Sequence, residues 1–232
     1  MAIGECLDDI ITHYAKTHPT RLAEHISIPN CSFTMLHLNA RSLNNKMDQL
    51  EFLLAECETK FSCIVISETW FNNFTYSPQF YLHGYNFFCS SRSDKSGGGI
   101  AVYILKELET TVMDVSLEGS DSLLVRIGES GRVVCTVLAV YRAPSGGRSA
   151  FLGDLARILP TLPSRSLVVG DLNFDLNFDN DPDSITKDFH NLMSKFGYFN
   201  TIFTPTRFGC TKDSLLDHIF CNKVDASFIS FT

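Results

Sequence analysis

The chain opens with Leu7, Ile10, Ile11 and Tyr14 at helical spacing, and Pro19 closes that pattern; residues 5–17 therefore predict a short amphipathic helix. From Phe33 the period changes to two. FTMLHLN alternates, with Phe33, Met35 and His37 on one face, as a half-buried strand requires. Asn44 or Asn45 can cap a following helix in which Met47, Leu50, Leu53 or Leu54, and Cys57 form one stripe. CIVIS (63–67) is a short continuous apolar run, the mark of a strand covered on both faces. Further strands are expected at YNFFCSS (85–91), GGIAVYIL (98–105), DSLLVRI (121–127) and RVVCTVLAVYR (132–142), separated by Gly, Ser and charged turns. The spacing then predicts a helix over 149–159, a strand at SLVVGD (166–171) and a helix over 184–196 ended by Gly197. Two late strands follow, near SLLDHIFCN (214–222) and ASFISFT (226–232).

Strands in two groups with helices interleaved imply two packed sheets with helices outside them. No internal repeat or low-complexity linker divides the chain. Residues 1–30 read as an N-terminal helical appendage and 31–232 as one domain. Composition agrees: 44% of the 232 residues are apolar and 19% charged, which supports a buried core and excludes a disordered chain. With 19 basic against 26 acidic residues the net charge is −7. That balance argues against a uniformly basic DNA-coating surface, but leaves room for a local site that handles phosphate through a metal. The eight cysteines make no C-x-x-C pair, and several, such as Cys63 and Cys135, lie in apolar strands; reduced cysteines and an intracellular location are expected. No signal peptide and no membrane-length apolar run are visible, so no membrane partner is expected.

Several polar residues sit where strands end, where side chains of different strands can meet at one rim. Asn39 follows MLHL, Glu68 follows CIVIS, Tyr141 and Arg142 follow TVLAV, Asp171 and Asn173 follow SLVVG, and Asp217 and His218 lie within SLLDHIF. Taken singly, each has an ordinary reading: a turn amide for Asn39, an Asx-turn for Asp171, a paired strand-end charge for Asp217.

Their order changes this. LNARSL (38–43), SETW (67–70), GGGIAVYI (97–104), VYRAP (140–144), GDLNFD (170–175) and SLLDHIF (214–220) follow one another in a succession that resembles the endonuclease domain of non-long-terminal-repeat (LINE-type) retrotransposons. Those domains belong to the exonuclease III and deoxyribonuclease I-like superfamily of endonuclease/exonuclease/phosphatase proteins. The resemblance covers residues 33–232. It implies an α+β fold, a four-layer α/β/β/α sandwich of two mainly antiparallel sheets, and Mg²⁺- or Mn²⁺-dependent hydrolysis of a DNA phosphodiester. It also implies a nuclear site of action and a reverse transcriptase domain downstream in a longer polyprotein.

By the same resemblance Glu68 would be the main metal ligand, with Asn39 holding a metal water or a phosphate oxygen. Asp171 would act as general base on the attacking water. Asn173 and Tyr141 would hydrogen-bond the scissile phosphate as charge builds up. Asp217 would orient a histidine. Arg142 would contact the DNA backbone. Apart from the resemblance, Arg92, Lys95, Arg142 and Arg148, with Arg207 and Lys212, form a cationic approach to DNA if the sheet order brings their loops to one rim; the alternative is scattered solubilising charge. Two departures stand out. The family's last motif, Ser-Asp-His, is expected just beyond ASFISFT, which makes a weak or inactive fragment one alternative. Arg41 stands where some cellular relatives carry an acid, which favours the retrotransposon branch. His218, next to Asp217 in a strand, is expected to face away from the site. Competing readings are a superfamily phosphatase acting on inositol phosphates or a phospholipid, and a non-catalytic remnant that binds nucleic acid or a partner.

Overall fold

Residues 10–14, 33–57, 60–71, 78–90 and 97–222 are described by the structure, a computed structural model, and for 10–14 the backbone alone. The continuous apolar runs form the central strands. In the first sheet β1 (Ile10–Tyr14), β2 (Phe33–Asn39), β3 (Cys63–Ser67), β4 (Tyr85–Ser90) and β5 (Ile100–Leu105) are ordered β1-β2-β3-β5-β4. The second contains β6 (Glu109–Met113), β7 (Ser120–Glu129), β8 (Arg132–Arg142), β9 (Ser166–Asp171), β10 (Phe199–Asn200) and β11 (Asp217–Cys221), ordered β10-β11-β9-β8-β7-β6. Pairs β1–β2, β2–β3 and β8–β9 are parallel; the other six are antiparallel, so both sheets are mixed.

Period-two alternation decides what each face buries. On β2, β3 and β5, Phe33, Met35, Cys63, Val65, Ile100 and Val102 point inward to the second sheet, joining Val137, Ala139 and Val169 in the main core. The intervening Leu36, Ile64, Ile66, Ala101 and Tyr103 point outward, where Met47, Leu50 and Leu53 of helix α1 (Met47–Glu56) cover them. Helices α2 (Arg148–Ile158) and α3 (Ser184–Lys195) cover the far face of the second sheet with Phe151, Leu155, Phe189 and Met193. These are the four layers. Asp183 caps α3 by accepting from the Thr186 N–H at 2.9 Å.

One expected element changes type. The helix predicted over 5–17 is a strand at Ile10–Tyr14, paired in parallel with β2. The run Ile10-Ile11-Thr12 favours an extended chain, and the free edge of β2 supplies backbone partners that an isolated short helix lacks. The N-terminal segment is therefore not helical there. The polar edge strand β6 and the two-residue β10 carry too little apolar pattern to be predicted. The strand expected at 226–232 lies outside the described residues. The six cysteines among the described residues are free, and no helix there is long and apolar enough to cross a membrane.

His218 lies on the outward face of β11, beside Phe189 of α3. It is fully buried as a satisfied neutral ring: Nε2–H donates to the Phe174 carbonyl at 2.9 Å and Nδ1 accepts from Asn200 at 3.1 Å. Burial pushes its pKa down to about 4, whereas an unfolded histidine titrates near 6.5. The unfolded state then binds the extra proton between those values. The stabilisation is fully present above pH 6.5 and is lost as pH falls through 4, an effect of about 3 kcal/mol. Burial moves His37 in the same direction. Denaturant unfolding at pH 7 and pH 4 should show this loss, and His218→Gln, which keeps a donor and an acceptor, should remove about one proton from the slope. A variant with the wild-type slope would mean that His218 is not the titrating group.

Candidate metal centre at the sheet rim

The site forms where β2, β3 and β9 end. Asn39 and Ser67 are register partners on parallel strands, so Glu68 emerges beside Asn39. The two following loops run together: Ala40, Ser42 and Leu43 donate backbone N–H groups to the carbonyls of Ser67, Glu68 and Thr69. A second tie crosses between the sheets. The Asp171 N–H donates to Ser67 Oγ at 3.3 Å, and Ser67 Oγ lies 2.9 Å from His37 Nε2. This buried bridge fixes the end of β9 against the ends of β2 and β3.

Two close approaches explain the glycines of GGGIAVYI and GDLNFD. Gly99 has φ +88, and a Cβ there would meet Thr69 Oγ1 at 2.3 Å; its N–H donates to buried Asp121 at 2.8 Å. Gly98 accepts from the Trp70 N–H at 2.8 Å, so the glycine strap holds the segment that presents Glu68. Gly170 has φ +143, and a Cβ there would lie 1.8 Å from the Val140 carbonyl oxygen. No side chain fits between β8 and β9 immediately before Asp171. Five of the eight non-glycine residues with positive φ among the described residues (Arg41, Ser42, Glu68, Trp70 and Asn173) lie in these loops. Backbone strain of this kind gathers where side chains must be aimed.

Asn39 Nδ2 donates to Glu68 Oε1 and to Asp171 Oδ2, both at 2.9 Å. One nitrogen of Arg207 touches the same two oxygens, at 3.2 and 2.6 Å. Glu68 and Asp171, carried by different sheets, therefore share one small volume. Asp171 is fully buried, and Asp217 lies opposite it in the β9–β11 register. Burial and the acids Asp217 and Glu68 push the Asp171 carboxyl well above the ordinary range, while Arg207 and the Asn173 N–H pull it back. Tyr141, next to last in β8, lies at the same rim, two residues beyond the Ala139–Val169 pairing, as Asp171 is.

The expected arginines separate. Arg142 does not reach outward to DNA. It is 1% exposed, and its guanidinium donates to the carbonyls of Leu172 (2.7 Å), Asn173 (2.7 Å), Ala143 (3.0 Å) and Gly146 (3.4 Å) while stacking 4.6 Å over Phe174. Asn173 Nδ2 answers by donating to the Arg142 carbonyl at 2.7 Å. Arg142 thus locks the GDLNFD turn from inside. Arg148 pairs with Asp183 at 2.5 Å, and Lys212 lines a cleft of about 370 Å³ beside Asn173. Arg92 and Lys95 lie outside the described residues. Sequence reading overlooked Ser67, Thr69 and Asp121, small or common polar residues whose importance comes only from meeting another element.

A profile of the Endonuclease/Exonuclease/phosphatase family matches residues 31–230. The chain belongs to this family. Among solved structures, the endonuclease domain of TRAS1, a telomere-specific non-LTR retrotransposon, is 16% identical with a TM-score of 0.61; the match covers 82% of this chain and 83% of that one. An AP endonuclease from Archaeoglobus fulgidus is 19% identical with a TM-score of 0.57, covering 80% and 85%. The 3'-5' exonuclease NExo from Neisseria meningitidis is 14% identical with a TM-score of 0.57, at the same coverages. At these identities the likeness shows the fold. No curated protein matches the chain in sequence.

The donor set fits a hard divalent cation. Two carboxylates from two sheets converge on a spot where a positive charge, the Arg207 guanidinium, already rests, and the Asn39 amide donates to both and so holds their oxygens together. Among the described residues no group of three or more His, Cys, Asp or Glu side chains is placed to hold a metal; the carboxylates at this rim are the pair Glu68 and Asp171, oriented by the Asn39 amide. Arg142→Lys should lower stability by about 2–4 kcal/mol, because one ammonium cannot serve four carbonyls. The same variant should leave the salt dependence of DNA binding unchanged, measured as log K against log salt. A slope reduced by about 0.9 would instead return Arg142 to the DNA surface.

Proposed function

We propose that this protein is a divalent-metal-dependent DNA endonuclease of the retrotransposon type, nicking target DNA at the centre built on Glu68 and Asp171. The observation that carries the reading is the convergence of those two carboxylates on a single cation. A phosphodiester resists attack because it is anionic and its leaving alkoxide is poor. Mg²⁺ or Mn²⁺ held between Glu68 Oε1 and Asp171 Oδ2, with Asn39 orienting the two carboxylates, would supply the countercharge for both. The order of motifs, and the fold shared with the TRAS1 domain, support a retrotransposon role with a reverse transcriptase in the same polyprotein. Such a role would place the protein in the nucleus.

In this reading Asp171 commits Oδ2 to the ion and takes the proton of the attacking water at Oδ1. Its raised pKa suits a base, and Asn39 and the Asn173 N–H keep the carboxylate aimed. Asn173 and Tyr141, at the same rim, would donate to the phosphate as charge develops. For Asn173 this requires its amide to leave the Arg142 carbonyl. Asp217, close to Asp171 and 1% exposed, would orient a histidine. His218 does not serve, because its two nitrogens are engaged on the opposite face.

A supercoiled plasmid incubated with the protein and Mg²⁺ or Mn²⁺ should be nicked to the open circle. Glu68→Gln and Asp171→Asn should each slow nicking by about 10²–10⁴-fold while the far-ultraviolet circular dichroism stays native. Nicking at the wild-type rate by both variants would overturn the assignment. Turnover of a soluble phosphate ester with no plasmid cleavage would move it to the phosphatases.

A further inference from the structure

We propose that Arg207 is an exchangeable resident cation: its guanidinium holds the seat of the divalent ion in the free protein and passes to a DNA phosphate when an ion enters. This deepens the reading of the site as a metal-dependent DNA nuclease and rests on it.

Two buried or half-buried carboxylates drawn together by the packing of two sheets repel each other unless a positive charge lies between them. Arg207 supplies that charge to the two oxygens most strongly committed to the site, Glu68 Oε1 and Asp171 Oδ2. A divalent ion bridging those oxygens would take the place of the Arg207 nitrogen that lies 3.2 and 2.6 Å from them and would repel its charge, so one must leave. The surrounding backbone allows a side chain to leave without the loop moving. Arg207 is tied to Ser214 by reciprocal backbone hydrogen bonds of 2.9 and 2.8 Å, and the neighbouring Thr206 Oγ1 accepts from the N–H groups of Leu216 and Asp217. The Arg207 side chain keeps 29% of its surface in solvent, unlike that of Asp171, which keeps none. It can therefore pivot outward about a fixed Cα. Outside lies the rim that substrate phosphates must approach, and a displaced guanidinium is suited to a phosphate oxygen.

The consequence is linkage between ion and substrate. DNA that takes the guanidinium raises affinity for the ion, and the ion raises affinity for DNA by the same factor. In the absence of DNA, Arg207 opposes the ion.

The test is a titration of the full chain with Mn²⁺ alone, following the free Mn²⁺ electron paramagnetic resonance signal, with Arg207→Gln, Arg207→Lys and Glu68→Gln in parallel. Arg207→Gln should bind Mn²⁺ about tenfold more tightly than the wild type. Arg207→Lys should fall between them, because one ammonium bridges two oxygens less well than a planar guanidinium. Thermal melts confirm that each variant is folded. Equal or weaker Mn²⁺ binding by Arg207→Gln overturns the proposal and leaves the metal site standing. Mn²⁺ binding that survives Glu68→Gln, or is absent from both the wild type and Arg207→Gln, overturns the metal site and the proposal with it. A second readout addresses the outward position. With Mn²⁺ present, the log–log salt slope for a short duplex, read before measurable nicking, should be steeper by about 0.9 for the wild type than for Arg207→Gln; without metal the two slopes should agree. Equal slopes with metal, or a difference without it, would overturn the transfer to phosphate.

Discussion

Glu68 and Asp171 are two like charges pressed together by the packing of two β-sheets, and most of the local structure serves to make that contact tolerable. An uncompensated buried carboxylate pair would protonate or separate. Here Asn39 donates to both members and Arg207 lies across both, so the repulsion becomes a cation-binding property. The sandwich gives each acid its own sheet, and the Asp171–Ser67–His37 bridge fixes the distance between sheets at that rim. The centre is thus a product of tertiary packing; neither sheet alone contains it.

Holding the loops demands unusual backbone. Gly170 lets β9 approach the Val140 carbonyl, Gly99 lets the strap reach Thr69, and Glu68 itself sits at φ +54. Arg142 supplies the opposing support from below, with Phe174 stacked between it and Phe189 at 4.3 Å. Three arginines near one rim therefore do three different things. Arg142 binds backbone, Arg148 binds the acid that caps a helix, and Arg207 binds the acids of the site. In a chain of net charge −7, the positive charge that matters is placed singly, not spread over a surface.

The central strands are legible because CIVIS, RVVCTVLAVYR and SLVVGD are mostly apolar along both faces, a pattern that a doubly covered strand buries. The segment at 10–14 was misread because helical spacing of a few apolar residues also occurs in a β-branched run. The available edge of β2 decides the outcome, and that edge is not a local property. Asn39, Glu68, Asp171 and Asp217 each have an ordinary reading alone and are singled out by the order of the motifs; parallel and antiparallel register brings them to one rim. The placing of the arginines is not legible. Whether Arg142 turns inward and Arg207 turns toward the acids depends on how the loops after β8 and β10 close, and a sequence of ordinary loop residues does not reveal it. Ser67, Thr69 and Asp121 were missed for the same reason.

The proposed function requires one divalent cation to sit on Glu68 and Asp171 together. Crystals soaked in Mn²⁺ and measured near the manganese absorption edge give the most direct test. A single strong anomalous peak coordinated by carboxylate oxygens of both residues is expected, with the Arg207 guanidinium displaced from them. A peak held by only one of the two acids, or manganese bound elsewhere while Arg207 keeps its place, would contradict it.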